Sequence, residues 1–212
     1  QLNRIGKYGT ILEKAILRKG AEDEMGVYLN SRGAYTMFRR ECASAYFVDK
    51  SEMLAELVTL VELKGNAVKN PGPNQGKGQK YVAITRPRRF GKTVMANMIA
   101  SYFGKGVSSG SLFRNLKASE YDWYEEHLNR HNVIHMSFNK LPRACSSYVQ
   151  YIARFEQGLL MDLQKEYPDA EIEEDEAVWD ALTKIHEYCD GEEFIFILDE
   201  WDYIYHQDFA TD

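Results

Sequence analysis

The chain has 212 residues, 44% of them hydrophobic and 27% charged, with a formal net charge of −6. That composition suits one globular domain with a small appendage and argues against a general nucleic-acid coat. Three widely separated cysteines, Cys42, Cys145 and Cys189, with no C-x-x-C, indicate neither a disulfide framework nor a zinc site. No apolar run is long enough for a bilayer and the N-terminus lacks a signal-peptide core, so a reducing cytoplasm is expected.

In chain order, residues 1–24 read as a mixed polar extension with a weak helical patch around Ile11 to Leu17. Met25 is read as the natural start, which divides the chain into a non-native extension (1–24) and one domain (25–212). Ser31-Arg32-Gly33 signals a turn. Tyr35–Phe38 and Ala45–Val48 read as short strands. Asp49 or Ser51 can cap a helix running to about Leu63, with Met53, Leu54, Leu57, Val58, Leu60 and Val61 on its apolar face. Lys64 to Lys80 holds four glycines and two prolines among four lysines and no acid. It reads as a solvated loop.

Tyr81 to Thr85 is a short apolar run of β-formers, expected to be a strand. It feeds Arg86-Pro87-Arg88-Arg89-Phe90-Gly91-Lys92-Thr93, after which Val94, Met95, Met98, Ile99, Tyr102 and Phe103 recur at helical spacing. Strand, loop and helix with G-K-T at the helix start is the layout of a phosphate-binding P-loop. The helix start offers unpaired N–H groups and a positive dipole end. Gly91 lets backbone approach phosphate oxygens. Lys92 can reach terminal phosphates, and Thr93 can offer a hydroxyl to Mg²⁺. The backbone from Arg89 through Phe90 to Val94 would cradle the phosphates, with Arg86 beside them. The first glycine of G-x-x-x-x-G-K-[ST] is Arg86 here. A basic turn before an ordinary helix therefore remains the alternative on this motif alone.

Further on, Gly104 to Ser111 is a breaker, and Leu112, Phe113 and Leu116 anchor an apolar turn. Tyr121 to Arg130 reads as a helix, 132–138 as a strand, Ser147 to Tyr167 as a long helix ended by Pro168, and Ala177 to Cys189 as another. The long helix is expected to turn Val149, Ile152, Phe155, Leu159, Leu160 and Leu163 inward. Phe194 to Leu198 is apolar without alternation, the pattern of a strand covered on both faces. Asp199 and Glu200 follow at its C-terminal end, where α/β sheets bind ligands. Mg²⁺ bound to a nucleotide is held by few carboxylates plus hydroxyl and water, which suits Asp199 opposite Thr93. Glu200 can orient and deprotonate the attacking water. An acidic pair after a strand is weak alone, but with G-K-T in the right order it supports a nucleotide site. His127, His131 and His135 have i, i+4, i+8 spacing, but the last lies in the predicted strand. They are read as surface or core histidines.

Phe47 to Leu57 (F-V-D-K-S-E-M-L-A-E-L), Thr85 to Thr93 (T-R-P-R-R-F-G-K-T) and Phe194 to Asp202 (F-I-F-I-L-D-E-W-D) together resemble the bacterial AAA-ATPase-like family. R-P-R-R-F-G-K-[ST] keeps that family's arginine at the first glycine position. The resemblance implies a P-loop NTPase: a three-layer α/β/α fold with a mostly parallel sheet, binding ATP and Mg²⁺ and hydrolysing ATP. Catalytic roles fall on Glu200 and Lys92, and metal ligation on Thr93 and Asp199. The box beginning at Phe47 is similar to the F-V-G-R-E-x-E-L box of related ATPases. Phe47 or Val48 would then pack near the base, or the box would simply cover the sheet.

Full-length relatives often continue into a PD-(D/E)XK nuclease-like domain, and some partner as homo-oligomers. The implied sheet order is 5-1-4-3-2, with Tyr81–Thr85, 133–138 and 194–198 as strands 1, 2 and 3. Strands 4 and 5 are not found, so the chain reads as truncated, with an open slot or a distorted contact in the sheet. The rival reading is a nucleotide-dependent switch or interaction module with little or no hydrolysis. Neither a membrane nor a nucleic-acid partner is indicated.

Overall fold

The computed structural model describes residues 26–62, 81–87, 89–139 and 145–207. The polar extension, the start at Met25, the Lys64–Lys80 loop and the side chain of Arg88 lie outside the described residues.

The first helix, α1, spans Arg32–Cys42. Ser31 caps it, its hydroxyl accepting from the Gly33 N–H at 3.2 Å. Ala34 and Phe38, four apart, form its buried stripe. Tyr35–Phe38 is therefore helix rather than strand: the cap and the four-residue apolar spacing outweigh local β-propensity. Ala45–Val48 is not a strand either. It is turn and extended chain with Tyr46 and Val48 exposed, and only Phe47 packs inward. A 3-10 turn, Ser51–Met53, then opens α2, Leu54–Glu62, which buries Leu54 and Val58.

The second long element, α3, spans Lys92–Phe103 and is buried from Met95 onward. A helix covered all round sits at the centre of its domain. Its partners are α1 and the apolar turn that includes α4, Gly110–Phe113. Phe38, Tyr102, Phe103 and Phe113 are essentially inaccessible, each burial contributing about 1.5–3 kcal/mol. Their rings meet tilted or edge-on at 4.9–5.5 Å. Asn129 braces the C-terminal end. Its amide donates to the carbonyls of Ser101 and Gly104, and its oxygen accepts from the Ser109 N–H. The expected helix over Tyr121–Arg130 shrinks to one turn, α5, Tyr124–His127. Asn129 takes a left-handed backbone (φ 57°) to make that brace, which ends the helix.

The sheet has two strands among the described residues, β1 (Asn132–Ser137) and β2 (Phe194–Asp199). They pair in parallel from Asn132↔Phe194 to Ser137↔Asp199. The far edge of β1 is taken by residues 28–30: Leu29 bridges Ile134 antiparallel, and the Asn30 N–H donates to Val133 at 2.7 Å. Sequence reading did not foresee this strip. It is tied down by Asp162, whose buried carboxylate accepts from the N–H groups of Val27, Tyr28 and Leu29.

Residues 81–87 form no strand among the described residues, against expectation. In the described sheet β2 pairs with β1 alone, so no ladder extends toward Tyr81–Thr85. Ile84 alone of this stretch packs on the core.

Beyond the sheet lie α6 (Tyr148–Glu166) and α7 (Val178–Tyr188). Ser147 caps α6 through the Gln150 N–H, and Pro168 starts a 3-10 turn beyond it. Phe155, Leu159, Leu160 and Leu163 face inward as expected, but Val149 is exposed and Tyr151 is buried in its stead. The expectation that β2 is covered on both faces also fails. Ile195 and Ile197 pack toward α3, whereas Phe196 and Leu198 stay 48% and 50% exposed.

Candidate functional site

The loop before α3 gets its shape from two left-handed residues, Arg89 (φ 68°) and Gly91 (φ 77°). Gly91 adopts this conformation freely; Arg89 does so at a steric cost. Alternating handedness turns successive N–H groups toward one concave side. Arg86 needs no positive φ. An arginine at the usual first-glycine position is therefore compatible with this turn. No side chain caps α3, and the first N–H groups of a helix have no intrahelical acceptor. Donors and the positive end of a twelve-residue helix thus face the loop.

Lys92 and Thr93 begin α3, with Thr93 exposed. The Lys92 ammonium donates to the Arg86 carbonyl at 3.1 Å, folded back along the loop. A second lysine joins it: Lys50 Nζ donates to the Phe90 carbonyl at 3.2 Å. This contact brings the Phe47 box, forty residues earlier in sequence, onto the loop.

Between box and loop lies a cavity of about 360 Å³, open to solvent. Phe47, Val48 and Lys50 line one side, and Arg89, Phe90 and Gly91 the other. Val94, Met95 and Met98 of α3 supply an apolar wall, and Tyr46 and Glu41 complete it. The cavity lining mixes polar and apolar groups and lies next to the uncapped start of α3, which leaves room for a small ligand. Five of the expected binding residues, Phe47, Arg89, Phe90, Gly91 and Val94, thus meet at one cavity. Lys50, Glu41 and Tyr46 were not singled out from sequence. The box around Phe47 was the available signal for them.

The box is held from behind. Asp49 Oδ1 accepts from the Ser51 N–H, and Oδ2 from the Lys117 N–H, both at 2.8 Å. Burial alone would raise the Asp49 pKa. The Lys117 and Ser51 hydrogen bonds and the Lys117 charge outweigh it and hold the carboxyl below its ordinary value. Fully buried Ser51 accepts from the Ala118 N–H. Asp49 is thus a brace and not a ligand group. Nearby, burial first, then Asp49 and Glu41, push the Cys42 thiol up to about 11, so it stays protonated.

At the other end, strand alternation puts Asp199 on the face of Ile195 and Ile197, toward α3. Asp199 is buried and its Oδ2 has no hydrogen-bond partner. His135 shares this face, two register positions back on β1, and its Nε2 is likewise unpartnered. Burial lowers the His135 pKa and the nearby Asp199 charge opposes this, which leaves a neutral ring at pH 7. Sequence reading placed His135 in the strand but did not connect it to Asp199; the register supplies that link. A buried, unpartnered carboxylate oxygen is costly unless a cation or donor meets it. Such an oxygen would suit a hard divalent cation.

Glu200 follows in a left-handed conformation (φ 53°), partly exposed, at the start of the 3-10 helix Trp201–His206. Among the described residues no hydrogen bond or ion pair joins Asp199 or Glu200 to Lys92 or Thr93. The helix α3 packs on both strands, and the loop precedes it in the chain.

A family model described as Predicted AAA-ATPase, of the AAA-ATPase-like family, matches residues 75–212. Neither the curated proteins nor the solved structures contain a match to the chain.

Proposed function

The chain belongs to the AAA-ATPase-like family, and we propose that it binds ATP with Mg²⁺ and hydrolyses it as a cytoplasmic P-loop NTPase of three-layer α/β/α build. The observation that carries this reading is the cavity shared by the Phe47 box and the Arg89–Gly91 loop, beside the uncapped start of α3.

In this reading the base enters the cavity against Phe47, Val48 and Met98. The phosphates meet the N–H groups from Arg89 to Val94. Lys92 leaves the Arg86 carbonyl and takes the terminal phosphates as a point charge, with Arg86 and Arg89 alongside. Thr93 and Asp199 would hold Mg²⁺, which neutralises charge on the phosphates when bound. Glu200 orients a water and accepts its proton as the water oxygen bonds to the terminal phosphorus. The bond from that phosphorus to the bridging oxygen breaks, and ADP and phosphate leave.

A second reading, a nucleotide-dependent switch with little turnover, is favoured by one observation. The Asp199–Glu200 end makes no described contact with the phosphate loop. Partnering in a homo-oligomer or with a nuclease-like domain belongs to either reading. The deciding experiment measures ATP·Mg²⁺ binding and phosphate release for the wild type and Glu200→Gln. Binding by both with turnover only in the wild type supports the ATPase. Binding without turnover in either supports the switch. No ATP binding by the wild type overturns both.

A further inference from the structure

Away from the cavity, the last residue of α2 meets α5. Glu62 Oε1 lies 3.2 Å from His127 Nε2, and one ligand atom each from Glu62, Glu126 and His127 lies within 4.8 Å of the others. The two carboxylates are exposed and the imidazole is buried. Behind it, His127 Nδ1 lies 3.0 Å from His131 Nε2, the two rings stacked at 5.3 Å and 11°. His131 is itself wedged edge-on against Phe103, at 5.4 Å.

A surface ion pair between a glutamate and a histidine needs none of this backing. Three features together suit a metal. First, the separation between Nε2 and Oε1 matches the edge of a tetrahedral site, about 3.3 Å for ligand bonds near 2.0 Å. Second, the imidazole cannot swing, because Phe103 and the stacked ring hold it. Third, the other ring nitrogen faces His131 Nε2, which accepts when His131 carries its proton on Nδ1. With Nδ1–H donating to His131 Nε2, the Nε2 lone pair is aimed at the carboxylates, as in metal-ligating histidines oriented by a second partner.

We propose that Glu62, Glu126 and His127 form a binding site for a divalent transition-metal ion of the zinc type, with His131 as a positioning residue. One imidazole and two carboxylates favour such an ion over Mg²⁺, which prefers oxygen alone. The fourth position is left to water. The ion would join α2 to α5 across 65 residues of sequence, stapling the helix that follows the Phe47 box to the core around Phe103. The site is independent of the nucleotide reading.

The test uses the full chain, stripped with chelator and free of nucleotide, titrated with Co²⁺ and then with competing Zn²⁺. One equivalent of Co²⁺ should give visible ligand-field bands that Zn²⁺ removes. Glu62→Gln and Glu126→Gln, both exposed positions, should each weaken binding at least about 10-fold, and His131→Gln by about 10- to 100-fold. Glu56→Gln, an exposed carboxylate elsewhere on α2, should leave the Co²⁺ titration unchanged. No stoichiometric binding by the wild type overturns the proposal. So does unchanged affinity in the Glu62→Gln/Glu126→Gln double variant, which tests the site even where His127→Ala does not fold.

Discussion

The loop before α3 and the end of β2 are built by opposite means. The loop is exposed, and its shape lies in the backbone: positive φ at Arg89 and Gly91, an uncapped helix start, and lysines resting on carbonyls. The strand end is buried, and its chemistry lies in side chains placed by register: Asp199 beside Ser137, with His135 on the same face. The loop needs only α3 to be anchored. The strand end needs β1, β2 and α3 to agree. Substitutions in the loop should therefore change binding with little effect on stability, and those at the strand end should change chemistry or move both.

The largest effect should come from the strand end. Glu200→Gln should lower turnover by about 10²- to 10⁴-fold with ATP affinity retained, as for removal of a general base; single-turnover phosphate release checks it. Asp199→Asn should abolish Mg²⁺-dependent binding. It should also leave the melting temperature equal or higher, because it replaces a buried carboxylate whose Oδ2 has no hydrogen-bond partner. A marked loss of stability would mean that Asp199 is a structural group instead.

On the loop side, Lys92→Ala should weaken ATP binding about 100-fold, from the loss of charge-assisted contacts of ~2–3 kcal/mol. Thermal melting should barely shift. Phe47→Leu keeps an apolar contact with the core and should weaken ATP binding about 10-fold, leaving tripolyphosphate binding unchanged. Equal losses for both ligands would remove the base from this cavity.

The smallest effect is structural. Asp49→Ala should cost about 1 kcal/mol at neutral pH through two lost backbone acceptor bonds. The folded-state pKa of Asp49 is depressed, so its contribution is present above the unfolded value, about 3.9, and fades as the pH falls below it. Denaturant melts at a series of pH values should show the wild-type advantage in full at pH 7 and shrinking as the pH falls below about 3.9.

The helical skeleton was largely legible in the sequence. α2, α3, α6 and α7 follow their apolar spacing, and β1 and β2 follow their runs of β-formers. The readings that failed were short stretches. Tyr35–Phe38 was decided by the Ser31 cap, and Ala45–Val48 has no ladder to join. The helix over Tyr121–Arg130 yielded to the Asn129 brace. Four residues of β-former carry too little local preference to outweigh one cap or one missing neighbour.

The sequence by itself determined the order of the functional pieces and their local chemistry: R-P-R-R-F-G-K-T before a helix, and D-E after an apolar strand. These are set by spacing along the chain, which periodicity and turn residues report. Only the tertiary structure decided what they face. It brought Lys50 and Phe47 to the loop, set His135 beside Asp199, left Phe196 and Leu198 exposed, and aligned His127 on His131 near Glu62. Such pairings depend on register and on helix packing between segments as much as 65 residues apart, distances over which the apolar pattern of one segment carries no record of its neighbour.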